Sequence, residues 1–139
     1  MKRLPLKLAI VVTVGSLLHS TPAAAQVSPT KKAGRVRITQ GPEVERPDPD
    51  FAIIRWTSNN PGGSPVHCGV VHYGTDPTKL NQTAQSPIRL NPRHSHTVFR
   101  VRMGGLKPGA TYYYTVDSME ANGESDGVKS TVKHFITPR

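Results

Sequence analysis

The sequence predicts an all-β fold, a seven-stranded antiparallel sandwich, and three observations carry that prediction. Ala52, Ile54 and Trp56 fall on one face of a strand, as do Phe99, Val101 and Met103 on another, which is the two-residue period of half-buried β structure. Clusters of glycine, proline and asparagine recur at intervals of roughly 10–15 residues with no stretch of helical period between them after the N-terminal segment. Leu106, Pro108 and Tyr112 have the spacing of a tyrosine corner, in which a strand-entry tyrosine buries its ring and returns its hydroxyl to nearby backbone.

The N-terminal segment stands apart from the fold. Lys2, Arg3 and Lys7 precede an apolar run over 8–18, broken only by Thr13, Gly15 and Ser16, and Ala23-Ala24-Ala25 follows. That order of basic, apolar and small residues predicts a cleaved signal peptide over 1–25 and hence a secreted or periplasmic protein. The run is too short for a permanent membrane helix, and no later segment is long and apolar enough to span. Cleavage after Ala25 leaves 114 of the 139 residues, enough for one domain, and a domain of this size buries about 65% of its unfolded surface. Residues 26–34 are polar with Pro29, Lys31 and Lys32 and read as a flexible lead-in, and 35–139 as the domain. The mature chain holds 15 basic and 9 acidic residues, a net +6, which leans towards anionic surfaces without departing far from an ordinary soluble protein.

Taken in order, 35–39 is a short first strand with Val36 and Ile38 on one face, stopped by Gly41-Pro42, and 43–50 an exposed loop of acids and prolines. The second strand, 51–57, turns Ala52, Ile54 and Trp56 inward. Trp56 is the only tryptophan and the natural plug of a sandwich core, whereas a role in stacking on carbohydrate requires an exposed ring. A turn cluster over 58–65 leads to a third strand, 66–73, with Val71 and Tyr73 inward. A short edge strand is expected over 80–84, then a loop punctuated by Pro87 and Pro92. Strand 97–103 buries Phe99, Val101 and Met103 and exposes Val98, Arg100 and Arg102. After Gly104-Gly105 comes the strand of the tyrosine corner, where alternation puts Tyr112 and Tyr114 in the core and Tyr113 outside. Residues 120–127 are a polar hairpin loop. The last strand, 128–137, has Phe135 in the core, and Val132 and Phe135 cannot both face inward without a bulge.

These residues resemble a fibronectin type III domain of the immunoglobulin-like class, through Trp56 at the end of the second strand and the Leu106, Pro108, Tyr112 corner. Within that superfamily the sequence is most similar to the N-terminal domain of purple acid phosphatases. The matching pieces are Trp56-Thr57, Val71-His72-Tyr73-Gly74, Gly105-Leu106-Lys107-Pro108-Gly109, Tyr112-Tyr113-Tyr114 and Phe135-Ile136-Thr137-Pro138. In that family the dimetal site lies in a following metallophosphoesterase domain, and no Gly-Asp-x-Gly or Gly-Asn-His-Asp/Glu motif occurs before Arg139. The resemblance therefore implies a non-catalytic module with no catalytic residue and no cofactor.

Little else in the chain carries chemistry. Cys68, the only cysteine, has no partner within the chain and reads as a half-buried strand residue, with pairing between two chains left open. His94 and His96 share a face of an extended segment, yet no third ligand is visible nearby, so no metal site is expected from them. Arg93, Arg100, Arg102 and Lys107 form the one candidate anion-binding patch, whose alternative is a solvated outer face. Nucleic acid is disfavoured, because no aromatic residues interleave with these cations. Asn81-Gln82-Thr83 matches the glycosylation pattern. No acidic pair has the spacing for glycoside chemistry. The expected function is a secreted, non-catalytic fibronectin type III-like binding module for an extracellular protein or glycan. The alternative is an accessory or truncated part of an acid phosphatase system with a metallophosphoesterase partner.

Overall fold

The computed structural model describes residues 36–59, 64–90 and 93–139. The predicted signal peptide and the whole of the lead-in, 26–34, lie outside the described residues. Eight strands follow one another: β1 (Ile38–Pro47), β2 (Phe51–Asn59), β3 (Val66–Gly74), β4 (Gln82–Arg89), β5 (His96–Gly104), β6 (Thr111–Glu120), β7 (Ser125–Lys129) and β8 (Lys133–Ile136). They form a three-stranded sheet in the order β1-β2-β5 and a five-stranded sheet in the order β4-β3-β6-β7, with β8 also paired to β6. Every pairing is antiparallel. The all-β sandwich is as predicted, with eight strands in place of seven.

The extra strand arises from a break in the expected last one. β7 pairs with the end of β6 around Asp117 and Met119, and β8 with its beginning from Thr111 to Tyr114. Between them the Ser130 hydroxyl accepts from the N–H of Val116 at 3.0 Å, while the Ser130 N–H donates to the Val116 carbonyl at 3.1 Å. A side-chain oxygen thus takes the place of a ladder carbonyl, and the strand resumes three residues later, at Lys133, with its phase reset. Val132 is left exposed and Phe135 packs on the core, which resolves the conflict in their spacing.

Three other boundaries differ from expectation. β1 does not stop at Gly41-Pro42 but continues to Pro47, past a cis Gly41-Pro42 bond, with register shifts that accommodate the interruption. Part of the expected acidic loop is therefore strand. The edge strand β4 extends through Pro87 to Arg89 rather than ending at Ala84. Proline has no N–H for a ladder, and an edge strand tolerates it where that side faces no neighbour. The expected loop over 120–127 contracts to four residues, because β6 extends to Glu120 and β7 starts at Ser125.

The core lies between the sheets. Ala52, Ile54 and Trp56 from β2 meet Phe99, Val101 and Met103 from β5 on one wall. Val71, Tyr73, Tyr112, Tyr114 and Val116 supply the other. Trp56 is 2% exposed and stacks on Phe99 with ring centroids 5.0 Å apart, so it is the core plug and not a carbohydrate platform. Opposite this stack the chain places Gly69. A methyl group there would come within 2.9 Å of the Phe99 ring and 3.1 Å of the Trp56 ring, so the missing side chain is what admits the aromatic pair.

The tyrosine corner forms as expected. Leu106 and Tyr112 are buried, and the Tyr112 hydroxyl accepts from the backbone N–H of Lys107 at 3.0 Å. Pro108 and Gly109 turn the chain, with Gly109 at φ +65°. Thr137 closes the turn from the far end of the chain: its hydroxyl donates to the Lys107 carbonyl at 2.5 Å and accepts from the Ala110 N–H at 2.9 Å. Gly109 in turn donates to the Thr137 carbonyl.

Candidate functional site

The outer face of the three-stranded sheet carries the predicted arginines, and they meet neighbours there. Arg55 on β2 lies directly opposite Arg100 on β5, a like-charge pair that is unfavourable alone. β1 supplies the matching acids. Glu43 contacts Arg55 at 3.3 Å and Glu45 reaches Arg100 at 2.6 Å. The Arg102 guanidinium lies over the Phe51 ring at 4.2 Å, and Arg46 approaches the same ring at 5.6 Å. Arg93 precedes β5 and Lys107 follows it. The nine residues of β5 lie between these two along the chain. Arg100 and Arg102 share a face of β5.

The outer face of the five-stranded sheet is different in character. Tyr113 on β6 is opposite His134 on β8, with ring centroids 5.8 Å apart. Ile136 is 65% exposed and Val132 48%, so two of the three exposed large apolar side chains among the described residues flank this aromatic pair. On β3, His72 is half-buried and lies 3.4 Å from the Thr83 hydroxyl on β4. Tyr114, one residue from Tyr113, points the other way: burial first, then the nearby Glu43 carboxylate, pushes its phenol up to about 12.

A third feature lies inside one end of the sandwich. His67, Gly69, Val71 and Tyr73 share the inward face of β3, and Ser118 and Glu120 continue the inward face of Tyr112, Tyr114 and Val116 on β6. His67 and Glu120 are direct partners in the β3–β6 ladder. The short β6–β7 hairpin brings Asp126 back over them. The His67 Nε2 is 3.4 Å from Asp126 Oδ1, with the two side chains 0% and 3% exposed. That contact is not aligned as a hydrogen bond, and neither ring nitrogen of His67 has a hydrogen-bond partner. The other Asp126 oxygen accepts from the Ser118 hydroxyl at 2.7 Å. One donor atom each from His67, Glu120 and Asp126 lies within 4.8 Å of the others.

Sequence reasoning missed this cluster. His67 and Asp126 are 59 positions apart, and the stretch holding Asp126 reads as loop. The available signal was the parity of His67 with Val71 and Tyr73, which puts the three side chains on one face of the strand. The expected His94–His96 pair is close, with stacked rings 6.0 Å apart. Both line a cleft between the edges of β4 and β5 beside Ile88 and Arg89. Cys68 is a free, half-buried cysteine whose thiol burial pushes up, against the opposing effect of a backbone hydrogen bond at Ser86. A raised thiol is a poor nucleophile.

Two antiparallel sheets closed over a Trp56–Phe99 stack, and pinned by a tyrosine corner, define a small β-sandwich module. The chain belongs to the family of the purple acid phosphatase N-terminal domain, whose pattern matches residues 42–137. That domain is a non-catalytic β-sandwich. Among solved structures, the chain is similar to the sensor domain of the anti-sigma factor RsgI4 in Pseudobacteroides cellulosolvens. The longer form is 15% identical over 75% of this chain and 88% of that chain, with a TM-score of 0.48. The shorter form is 18% identical over 81% of this chain and 97% of that chain, also with a TM-score of 0.48. No curated protein matches the chain.

Proposed function

We propose that this chain is an exported, non-catalytic recognition module that docks another extracellular protein through the outer face of its five-stranded sheet around β8. The observation that carries this reading is the exposure of Ile136 and Val132 beside the Tyr113–His134 pair. Tyrosine and apolar groups are the residues that interface cores favour. β8 is also an edge, four residues long and paired only to β6 among the described strands, so a partner can reach this face from the side. The arginine face suits a partner less well. Glu43, Glu45 and Phe51 already engage Arg55, Arg100 and Arg102, and an anionic glycan has to displace those contacts. The basic, apolar and small-residue order of residues 1–25 supports export.

The family match favours a second reading of the partner, namely a metallophosphoesterase domain supplied by another chain. One experiment addresses both. The purified chain is cross-linked to the organism's secreted fraction, alongside Val132→Glu/Ile136→Glu and Arg100→Glu/Arg102→Glu variants. A single protein captured by wild type and by the arginine variant, but not by the β8 variant, is the expected result, and its sequence decides between the two partner classes. Capture lost only with the arginine variant, or retention on heparin as the sole activity, overturns the reading.

A further inference from the structure

The polar cluster within the sandwich has features that a recognition surface does not need. We infer that His67, Glu120 and Asp126 form a binding site for one divalent transition-metal ion, of which zinc is the natural occupant. The inference starts from His67. Its side chain is fully buried, it points into the cluster, and both ring nitrogens lack a hydrogen-bond partner. A buried polar atom left without a hydrogen-bond partner is costly, which marks His67 as a group that a bound ligand would satisfy.

The surrounding groups point to a cation. Glu120 and Asp126 bring two carboxylates into the same small volume as the imidazole, and like charges this close repel unless a positive ion lies between them. The separation fits as well. Two ligands on a tetrahedral zinc at ordinary bond lengths are about 3.4 Å apart, and His67 Nε2 and Asp126 Oδ1 are 3.4 Å apart. Imidazole among the donors selects zinc and its neighbours over calcium or magnesium, which prefer oxygen alone. The Ser118 hydroxyl holds the remaining Asp126 oxygen at 2.7 Å, the kind of supporting bond that fixes a ligating carboxylate.

The site also has a structural meaning. Its three ligands come from β3, the end of β6 and β7, so an ion here ties the β6–β7 hairpin to the neighbouring strand. Two residues along the inward face of β3, Gly69 lets the Trp56 and Phe99 rings close over the chain. The cluster therefore ends where the apolar core begins, and bound metal is walled off from it. Such a site anchors the end of the sandwich, with solvent completing the coordination on its outer side.

Zinc itself is the probe. The untagged, chelator-treated full chain is titrated with zinc by calorimetry and with cobalt(II) by visible absorption, and its thermal unfolding is followed with and without zinc. One ion per chain, tetrahedral cobalt absorption and a zinc-dependent rise in Tm are expected. Glu120→Gln, at a partly exposed position, is expected to weaken zinc binding by about tenfold or more while its metal-free unfolding stays close to wild type. His67→Ala and Asp126→Asn are expected to abolish binding if they fold. His94→Ala/His96→Ala is expected to bind as wild type. Absence of zinc binding by wild type overturns the inference, as does binding that survives Glu120→Gln unchanged or is lost only with the His94/His96 variant.

Discussion

The backbone N–H of Lys107 donates to the hydroxyl of Tyr112 at 3.0 Å, so the strand β6 is tied to the turn that introduces it. The Tyr112 ring is 5% exposed and lies between Tyr73 and Phe135, with centroids 6.3 Å and 6.0 Å away. The same residue thus fills the core and satisfies the turn. Tyr112→Phe keeps the packing and removes the acceptor, and is expected to cost about 1–2 kcal/mol in urea unfolding. Tyr113→Ala, on the outer face, is expected to cost clearly less. Equal costs for the two variants contradict the facing described for β6.

Gly69→Ala tests the close approach of β3 to the aromatic stack. The new methyl meets the side chains of Phe99, Trp56 and Val101 at 2.9–3.1 Å, and these are rings and branches packed in a full core. Overpacking of this kind costs about 1–3 kcal/mol. The lower urea midpoint is to be accompanied by a change in Trp56 fluorescence, since that ring has to move. A variant as stable as wild type shows that the stack has slack.

Tyr114 makes stability fall at alkaline pH. Its phenol is pushed from the ordinary 10.0 up to about 12, by burial first and by Glu43 second. The unfolded chain therefore loses this proton at lower pH than the folded one. The contribution is fully present below pH 10 and is lost as pH rises from there through about 12. Ultraviolet titration of the phenolates is expected to show a late step that coincides with unfolding and is missing in Tyr114→Phe. An early, reversible titration of all tyrosines in the folded chain contradicts this.

Arg100 and Glu45 are a surface pair, 58% and 36% exposed. Arg100→Ala is expected to cost less than about 1 kcal/mol, because side-chain ordering and solvent screening offset most of the attraction. The small effect is to shrink further in high salt. A loss several times larger, insensitive to salt, shows that this face is more tightly organised than its exposure indicates.

Most of the fold was legible because strand alternation is a local property. Trp56, Phe99, Tyr112 and Tyr114 declare their facing through their immediate neighbours, and the spacing of Leu106, Pro108 and Tyr112 announces a turn closed within six positions. Strand ends were less legible. Gly41-Pro42 and Pro87 read as interruptions, yet β1 and β4 run through them, since an edge strand bonds on one side only and can miss a donor. An irregularity near Ser130 was legible in the conflict between Val132 and Phe135, but not the break into two strands or the hydroxyl that makes it.

By itself, then, the sequence determined the sandwich, its aromatic core and its corner, all of which follow from residues close together along the chain. Tertiary structure alone decided what the charged and polar residues do. Glu45 lies 55 positions from Arg100 and meets it only because β1 and β5 flank β2, which gives this strand-face arginine an acid partner. His67 meets Glu120 and Asp126 only because β3 registers on β6 and a four-residue loop folds β7 back. Interactions across sheets depend on register and strand order, and no local pattern records either one.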